Sequence, residues 1–207
     1  MARRKGQGKG PNYERTTCKR LSLWVSGLTR EDCFWRSAMS GGRARLITRK
    51  FTDVDGSGRR VRNSQQLRTR EIKAHAGDIV ATHYLGGLLL DLFVVECKFY
   101  KDLHWERLVY GRKGIVTKWW RDTKEVAHGR EPLMILRGNR RPDVVCTTRK
   151  GFDILDLGGR IERLAYFPRL KMYVALFSDL VTEVDFRAIR RKLDGAGAVP
   201  RRPLPKR

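Results

Sequence analysis

The stretch GDIVATHYLGGLLLDLFVVECKFYKD occupies residues 77–102. Gly86-Gly87 stand between two apolar runs within it, and a Gly-Gly pair in that position is a signal for a tight β-hairpin turn. The expectation is two strands, 78–84 and 89–98, joined by Leu85-Gly86-Gly87. A turn centred near Gly87 sets Asp78 opposite Glu96. Two carboxylates side by side are costly unless one is protonated or a cation lies between them. Lys98 shares the face of Glu96 by the two-residue period of a strand. Residues 89–95 are apolar on both faces apart from Asp91, which predicts a central strand covered on both sides.

Working outward, residues 28–39 read as a short helix. Thr29 is its N-cap candidate, Glu31 and Asp32 lie in the first turn, and Ser40-Gly41-Gly42 stop it. Residues 43–51 read as a strand and 53–70 as a polar, Arg-rich loop. That loop opens like a calcium-binding loop at Asp53, but its twelfth position is Ser64, where a bidentate acid is required. Calcium is therefore rejected. Residues 104–128 read as helical with a break near Gly111–Gly114, and 132–137 and 143–148 as strands. A further strand is expected around Ile154, Leu155 and Leu157, another over 172–177, and a basic helix over 186–193. Of the adjacent Trp119 and Trp120, one is expected in the core, because neighbouring helix residues point about 100° apart.

The chain has 207 residues, which predicts one domain with extensions. Residues 1–20 read as a flexible basic arm, 21–150 as the core, 151–194 as an α+β extension packed on it, and 195–207 as a disordered basic tail. With 45 Lys+Arg against 22 Asp+Glu, the formal charge is +23. So large an imbalance is self-repelling without a polyanion, and nucleic acid is the expected partner. No apolar run approaches the ~18 residues of a membrane span, and the basic N-terminus lacks the apolar segment of a signal peptide. The reading is a cytoplasmic protein. Cys18, Cys33, Cys97 and Cys146 are widely spaced, so reduced, buried thiols are expected and not a disulfide framework or zinc module.

An acid pair with a lysine at a strand end suits magnesium chemistry. Mg²⁺ takes one or two carboxylates, waters and substrate phosphate. It stabilises phosphate charge and lowers the pKa of a bound water, which a neighbouring lysine can orient or deprotonate. The expected reaction is phosphodiester hydrolysis. Arg36, Arg43 and Arg45 flank the pair in sequence as phosphate-binding candidates.

Gly77-Asp78-Ile79 followed by Glu96-Cys97-Lys98 resembles the two motifs of the PD-(D/E)XK nuclease superfamily, with Gly77 where the family pattern has proline. The order of elements over residues 28–148 is similar to archaeal Holliday-junction resolvases and to small phage-encoded nucleases. The resemblance implies an α/β fold with a mixed central β-sheet flanked by helices, a restriction-endonuclease-like core carrying basic extensions. It implies a metal-dependent DNA endonuclease selective for branched DNA such as a Holliday junction. Asp78, Glu96 and the backbone carbonyl of Cys97 would hold Mg²⁺ or Mn²⁺. Glu31 or Asp32 would supply the helix acid that completes the site. Ser40, Gly41 and Gly42 would contact DNA, with Arg36, Arg43 and Arg45. A homodimer suits the cutting of two strands. If phage-encoded, the protein would act in the host cytoplasm. The gap from the helix acids to Ser40 is shorter than in the resolvases. The alternative is a non-catalytic basic nucleic-acid-binding protein on a nuclease-like scaffold.

Overall fold

A computed structural model describes residues 9–37, 77–155 and 163–195. Within them the chain runs α1 (Lys9–Ser26), β1 (Phe34–Arg36), β2 (Ile79–Ala81), α2 (Tyr84–Leu92), β3 (Phe93–Tyr100), α3 (Trp105–Val109), α4 (Ile115–Val126), β4 (Glu131–Gly138), β5 (Val144–Thr147), α5 (Arg149–Leu155), β6 (Arg163–Phe167), β7 (Met172–Leu176), α6 (Phe177–Glu183) and α7 (Phe186–Gly195). Five strands form one sheet in the order β3-β4-β5-β7-β6, and β1 pairs with β2 separately. β3 and β4 are parallel; the remaining neighbours in the five-stranded sheet are antiparallel. This is the expected mixed α/β sheet with flanking helices. The crossover from β3 to β4 is carried by α3 and α4, as a parallel pair requires.

The sheet divides its side chains between two apolar layers by the two-residue alternation. Val95, Cys97, Leu133, Ile135 and Val145 pack beneath α1, α2 and α5–α7, with Leu21, Trp24, Leu89, Phe177 and Ile189. Met134, Leu136, Cys146 and Val174 pack beneath α3 and α4, with Leu108, Val116 and Trp120. All four cysteines are buried free thiols, as their spacing predicts. Trp120 is the core tryptophan, its indole N–H donating to the Leu170 carbonyl at 3.0 Å. Trp119 is half-buried and meets Tyr100 edge-on, with ring centroids 5.8 Å apart.

Three expectations change here. Residues 9–26 are a helix where a flexible arm was expected. Tyr13, Thr17, Leu21, Trp24 and Val25 are buried at helical spacing, a stripe masked by the surrounding Lys and Arg. Arg20 ties this helix to the sheet through Asp143 at 2.7 Å, and the Trp24 indole donates to the Val184 carbonyl at 2.7 Å. Residues 28–33 form no helix: α1 ends at Gly27 and Leu28, both with positive φ, and the chain enters β1. Leu28 N–H reaches back to the Leu23 carbonyl at 2.7 Å, a Schellman-type stop that the Ser26-Gly27 pair serves. Residues 149–155 are likewise helical where a strand was expected. The expected strand over 43–51 and loop over 53–70 lie outside the described residues.

The largest change is the hairpin itself. Gly86 and Gly87 lie inside α2, not in a turn. The Leu-rich segment 84–92 favours helix, whereas the β-branched and aromatic run from Phe93 favours strand. His83 caps α2, its Nδ1 accepting from the Leu85 N–H at 3.3 Å. Gly86 permits the helix to touch β1: a Cβ there would stand 2.3 Å from the Cys33 carbonyl oxygen, whereas one at Gly87 meets nothing within 4 Å. The two glycines therefore separate in their response to alanine. Gly87→Ala should stabilise by about 0.5–1 kcal/mol through helix propensity, raising Tm by a few degrees. Gly86→Ala should destabilise by about 1–3 kcal/mol through overpacking. Thermal denaturation of both variants checks this; a hairpin turn at 86–87 would make Gly87→Ala destabilising.

Candidate functional site

The candidate site forms along the outer edge of β3. Among the described residues β3 is the terminal strand of the five-stranded sheet, so it is not central. Its apolar faces report coverage above and below, which says nothing about its edges. The segment before β2 lies along that edge. Asp78 N–H donates to the Val95 carbonyl at 2.9 Å, and Asp78 Oδ2 accepts from the Cys97 N–H at 2.9 Å. The carboxylate thus occupies one rung of the ladder where a neighbouring strand would be. Gly77 makes this approach possible. Its φ is +97°, and a Cβ there would stand 2.6 Å from the Val95 carbonyl oxygen. Proline, fixed near φ −65°, cannot take this conformation, which accounts for glycine before Asp78.

Asp78 and Glu96 do meet, although no hairpin brings them together. Their shared partner is Lys98. Its Nζ lies 3.0 Å from Asp78 Oδ2 and in closer contact with Glu96 Oε2. Asp78 is 5% exposed, and the side chains of Glu96 and Lys98 are 15% and 23% exposed. A cation between the carboxylates is one of the two ways the sequence allowed the pair to persist, and Lys98 supplies it. Burial, followed by the charge of Asp78, pushes the Glu96 carboxyl up to about 7, against the opposing pull of Lys98. Burial alone would lower the Lys98 ammonium, but Glu96 and Asp78 together raise it above the ordinary lysine range. By strand alternation the Cys97 carbonyl points to the same edge as its N–H. Asp78 Oδ2 and Glu96 Oε2 converge on one cation position, and hard carboxylate oxygens of this kind, with the Cys97 carbonyl on the same edge, are donors that could hold Mg²⁺ or Mn²⁺.

Glu31 and Asp32 are not brought to this pair. Glu31 is exposed and binds Lys19 at 2.8 Å. Asp32 is exposed and held by Arg30 through two hydrogen bonds of 2.9 and 2.7 Å. Both stand in the connection after α1, which explains the miss: they precede a strand, so they are not first-turn acids of a helix. Among the described residues no third His, Cys, Asp or Glu joins Asp78 and Glu96 in a metal-sized cluster.

α1 carries an acid of its own, Glu14. It lies one turn before the buried Cys18, whose thiol is raised to about 12 by burial first and then by Glu14, with a smaller contribution from Asp78. Cys18 thus lies within the field of both acids. Glu14 Oε2 accepts from Arg36 Nε at 2.6 Å, so Arg36 is engaged by α1 and partly exposed. Glu14, Cys18, Leu21 and Val25 follow helical spacing; an acid opening an apolar helical stripe was the available signal. Ser40, Gly41, Gly42, Arg43 and Arg45 lie outside the described residues. No helix among the described residues is long and apolar enough to cross a membrane.

The family model described as "Phage putative PDDEXK endonuclease" matches residues 5–158. That range contains α1, with Glu14, and the whole Asp78–Glu96–Lys98 edge. No curated protein and no solved structure matches the chain. The chain belongs to the phage putative PDDEXK endonuclease family.

Proposed function

We propose that the protein is a divalent-metal-dependent DNA endonuclease working at the β3 edge. The observation that carries this reading is the convergence of Asp78 and Glu96 on one cation position, occupied by Lys98 Nζ. Asp78, Glu96 and the Cys97 carbonyl would hold Mg²⁺ or Mn²⁺, and Glu14 would take the helix-acid role. When bound, the metal supplies charge stabilisation at the phosphate and a water of lowered pKa. Lys98 enters as a cation, since both carboxylates favour its charged form. Released from them, it donates hydrogen bonds to the scissile phosphate or the attacking water. Its burial then favours loss of a proton, which suits it to assist deprotonation of that water. The substrate proposed is duplex DNA with a preference for branched over linear forms, cut by a two-fold pair of sites.

Matched four-way-junction, flap, linear and single-stranded DNAs, incubated with Mg²⁺ and with EDTA, test this reading. Cleavage requiring Mg²⁺ is expected. Lys98→Ala should lower it by roughly 10²–10⁴-fold while DNA binding persists. Tight binding without cutting of any substrate by the wild-type protein would leave only the non-catalytic reading.

Glu96 sets a pH dependence. The unfolded chain releases this proton in the ordinary carboxyl range, the metal-free folded chain near 7. The folded state therefore holds the extra proton across that window, and the stability owed to this group falls as pH rises through it. Metal binding requires the deprotonated form. Affinity for Mn²⁺, measured by calorimetry, should weaken by about tenfold per pH unit below the Glu96 pKa and level off above it. Glu96→Gln should abolish the fall in metal-free stability across the same range. Equal Mn²⁺ affinity at about pH 6 and about pH 8 would contradict this linkage.

A further inference from the structure

A groove of about 730 Å³ opens at the opposite edge of the sheet, between the α3–α4 connection and the segment from β6 into the turn before β7. Its size suits a nucleotide-sized ligand. Tyr110, Phe167, Arg112, Lys113 and Arg169 are among its lining residues, and none of its lining residues is acidic. No described acid forms an ion pair with Arg112, Lys113 or Arg169, unlike Arg20, Arg30 and Arg36 elsewhere. Tyr110 is 73% exposed, with the Arg112 guanidinium 6.0 Å from its ring centroid. Arg169 reaches across the groove to Gly111. A Cβ on Gly111 would stand 2.4 Å from the Arg169 guanidinium, and Gly111 has a φ of +66°. One exposed aromatic ring thus lies among three cations that no described acid neutralises.

Sheet register relates this groove to the candidate metal site. Glu96 pairs with Met134, Met134 with Cys146, Cys146 with Val174, and Val174 with Ala165, which lines the groove. Paired residues share a face, so Ala165 and Glu96 lie on the same side of the sheet and at the same height. Four strand spacings of about 4.8 Å separate them by roughly 19 Å.

We propose that the groove binds an unpaired nucleotide of the DNA substrate. Its base stacks on Tyr110, and its flanking phosphates meet Arg112, Lys113 and Arg169. The class of ligand rests on the endonuclease reading; the charge and the exposed ring do not. Stacking is preferred to duplex contact because an exposed ring offers a base face nothing to gain unless that base is unpaired. Such a subsite would favour substrates with single-stranded character.

The test uses the full chain in EDTA, titrated by fluorescence anisotropy with a labelled single-stranded DNA and with the matching blunt duplex. Tyr110→Ala should weaken single-strand binding by roughly 5- to 100-fold, with duplex binding unchanged. Tyr110→Phe should restore it, and the Arg112→Ala/Lys113→Ala double variant should weaken it and lower its salt dependence. Unchanged single-strand affinity in Tyr110→Ala would overturn the proposal, as it would if a segment of the chain itself filled the groove. So would an equal loss of duplex binding. Mg²⁺-dependent cleavage of a short duplex is followed in parallel. A wild-type protein that binds through Tyr110 but never cuts would remove the endonuclease reading and leave the groove standing. A Tyr110→Ala protein that cuts normally and binds single strands normally would remove the groove alone.

Discussion

The contact on which the site depends is the ammonium of Lys98 between the carboxylates of Asp78 and Glu96. Two buried acids this close cannot both stay ionised without a cation. The chain provides that cation from the same strand face as Glu96, two residues along. Asp78 is meanwhile pinned to the backbone of β3 through its own N–H and through the Cys97 N–H. The arrangement is a preorganised anionic notch held shut by an internal counter-ion. A divalent metal would compete with Lys98 for the same oxygens, and its arrival would free the lysine for work on phosphate. Lysine suits this exchange better than arginine, because it is a compact charge whose pKa follows its surroundings.

The rest of the fold holds β3 in place from both of its faces. α1 covers one face of β3 and is fixed by Arg20–Asp143 and by the Trp24 indole. On the other face Trp119 of α4 meets Tyr100, and Val126 and Ala127 pack on Val94. The Glu96 and Lys98 side chains keep partial exposure between these covers, at 15% and 23%. The formal charge of +23 supplies a long-range field for nucleic acid. Paired arginines such as Arg36 spend their charge on the fold, whereas Arg112, Lys113 and Arg169 at the far edge pair with no described acid.

The contact of Lys98 with Glu96 was legible because it depends on short-range spacing. Glu96 and Lys98 lie on one strand in either topology, so the two-residue period placed them together correctly. Asp78 was paired with Glu96 through a hairpin that does not exist. The helix α2 returns the chain to the same place, so the contact survives the wrong turn. Gly86-Gly87 misled because glycine serves close backbone contact as readily as it serves a turn. Glu31 and Asp32 were expected on a first helix that does not form, because the helix stands earlier, in a segment whose composition reads as a solvated arm. Its apolar stripe, Tyr13, Thr17, Leu21 and Trp24, was visible at helical spacing. The β3 edge position could not be read, since an apolar strand reports covered faces and leaves its hydrogen-bonding partners unstated.

The most direct measurement of the central claim is an anomalous difference map from crystals soaked in Mn²⁺. The account predicts a single strong peak bridging Asp78 and Glu96, with Lys98 Nζ moved from between them, and loss of that peak in Asp78→Asn crystals. A Mn²⁺ peak elsewhere, or none at a concentration that supports cleavage, with the Lys98 bridge intact, would contradict it.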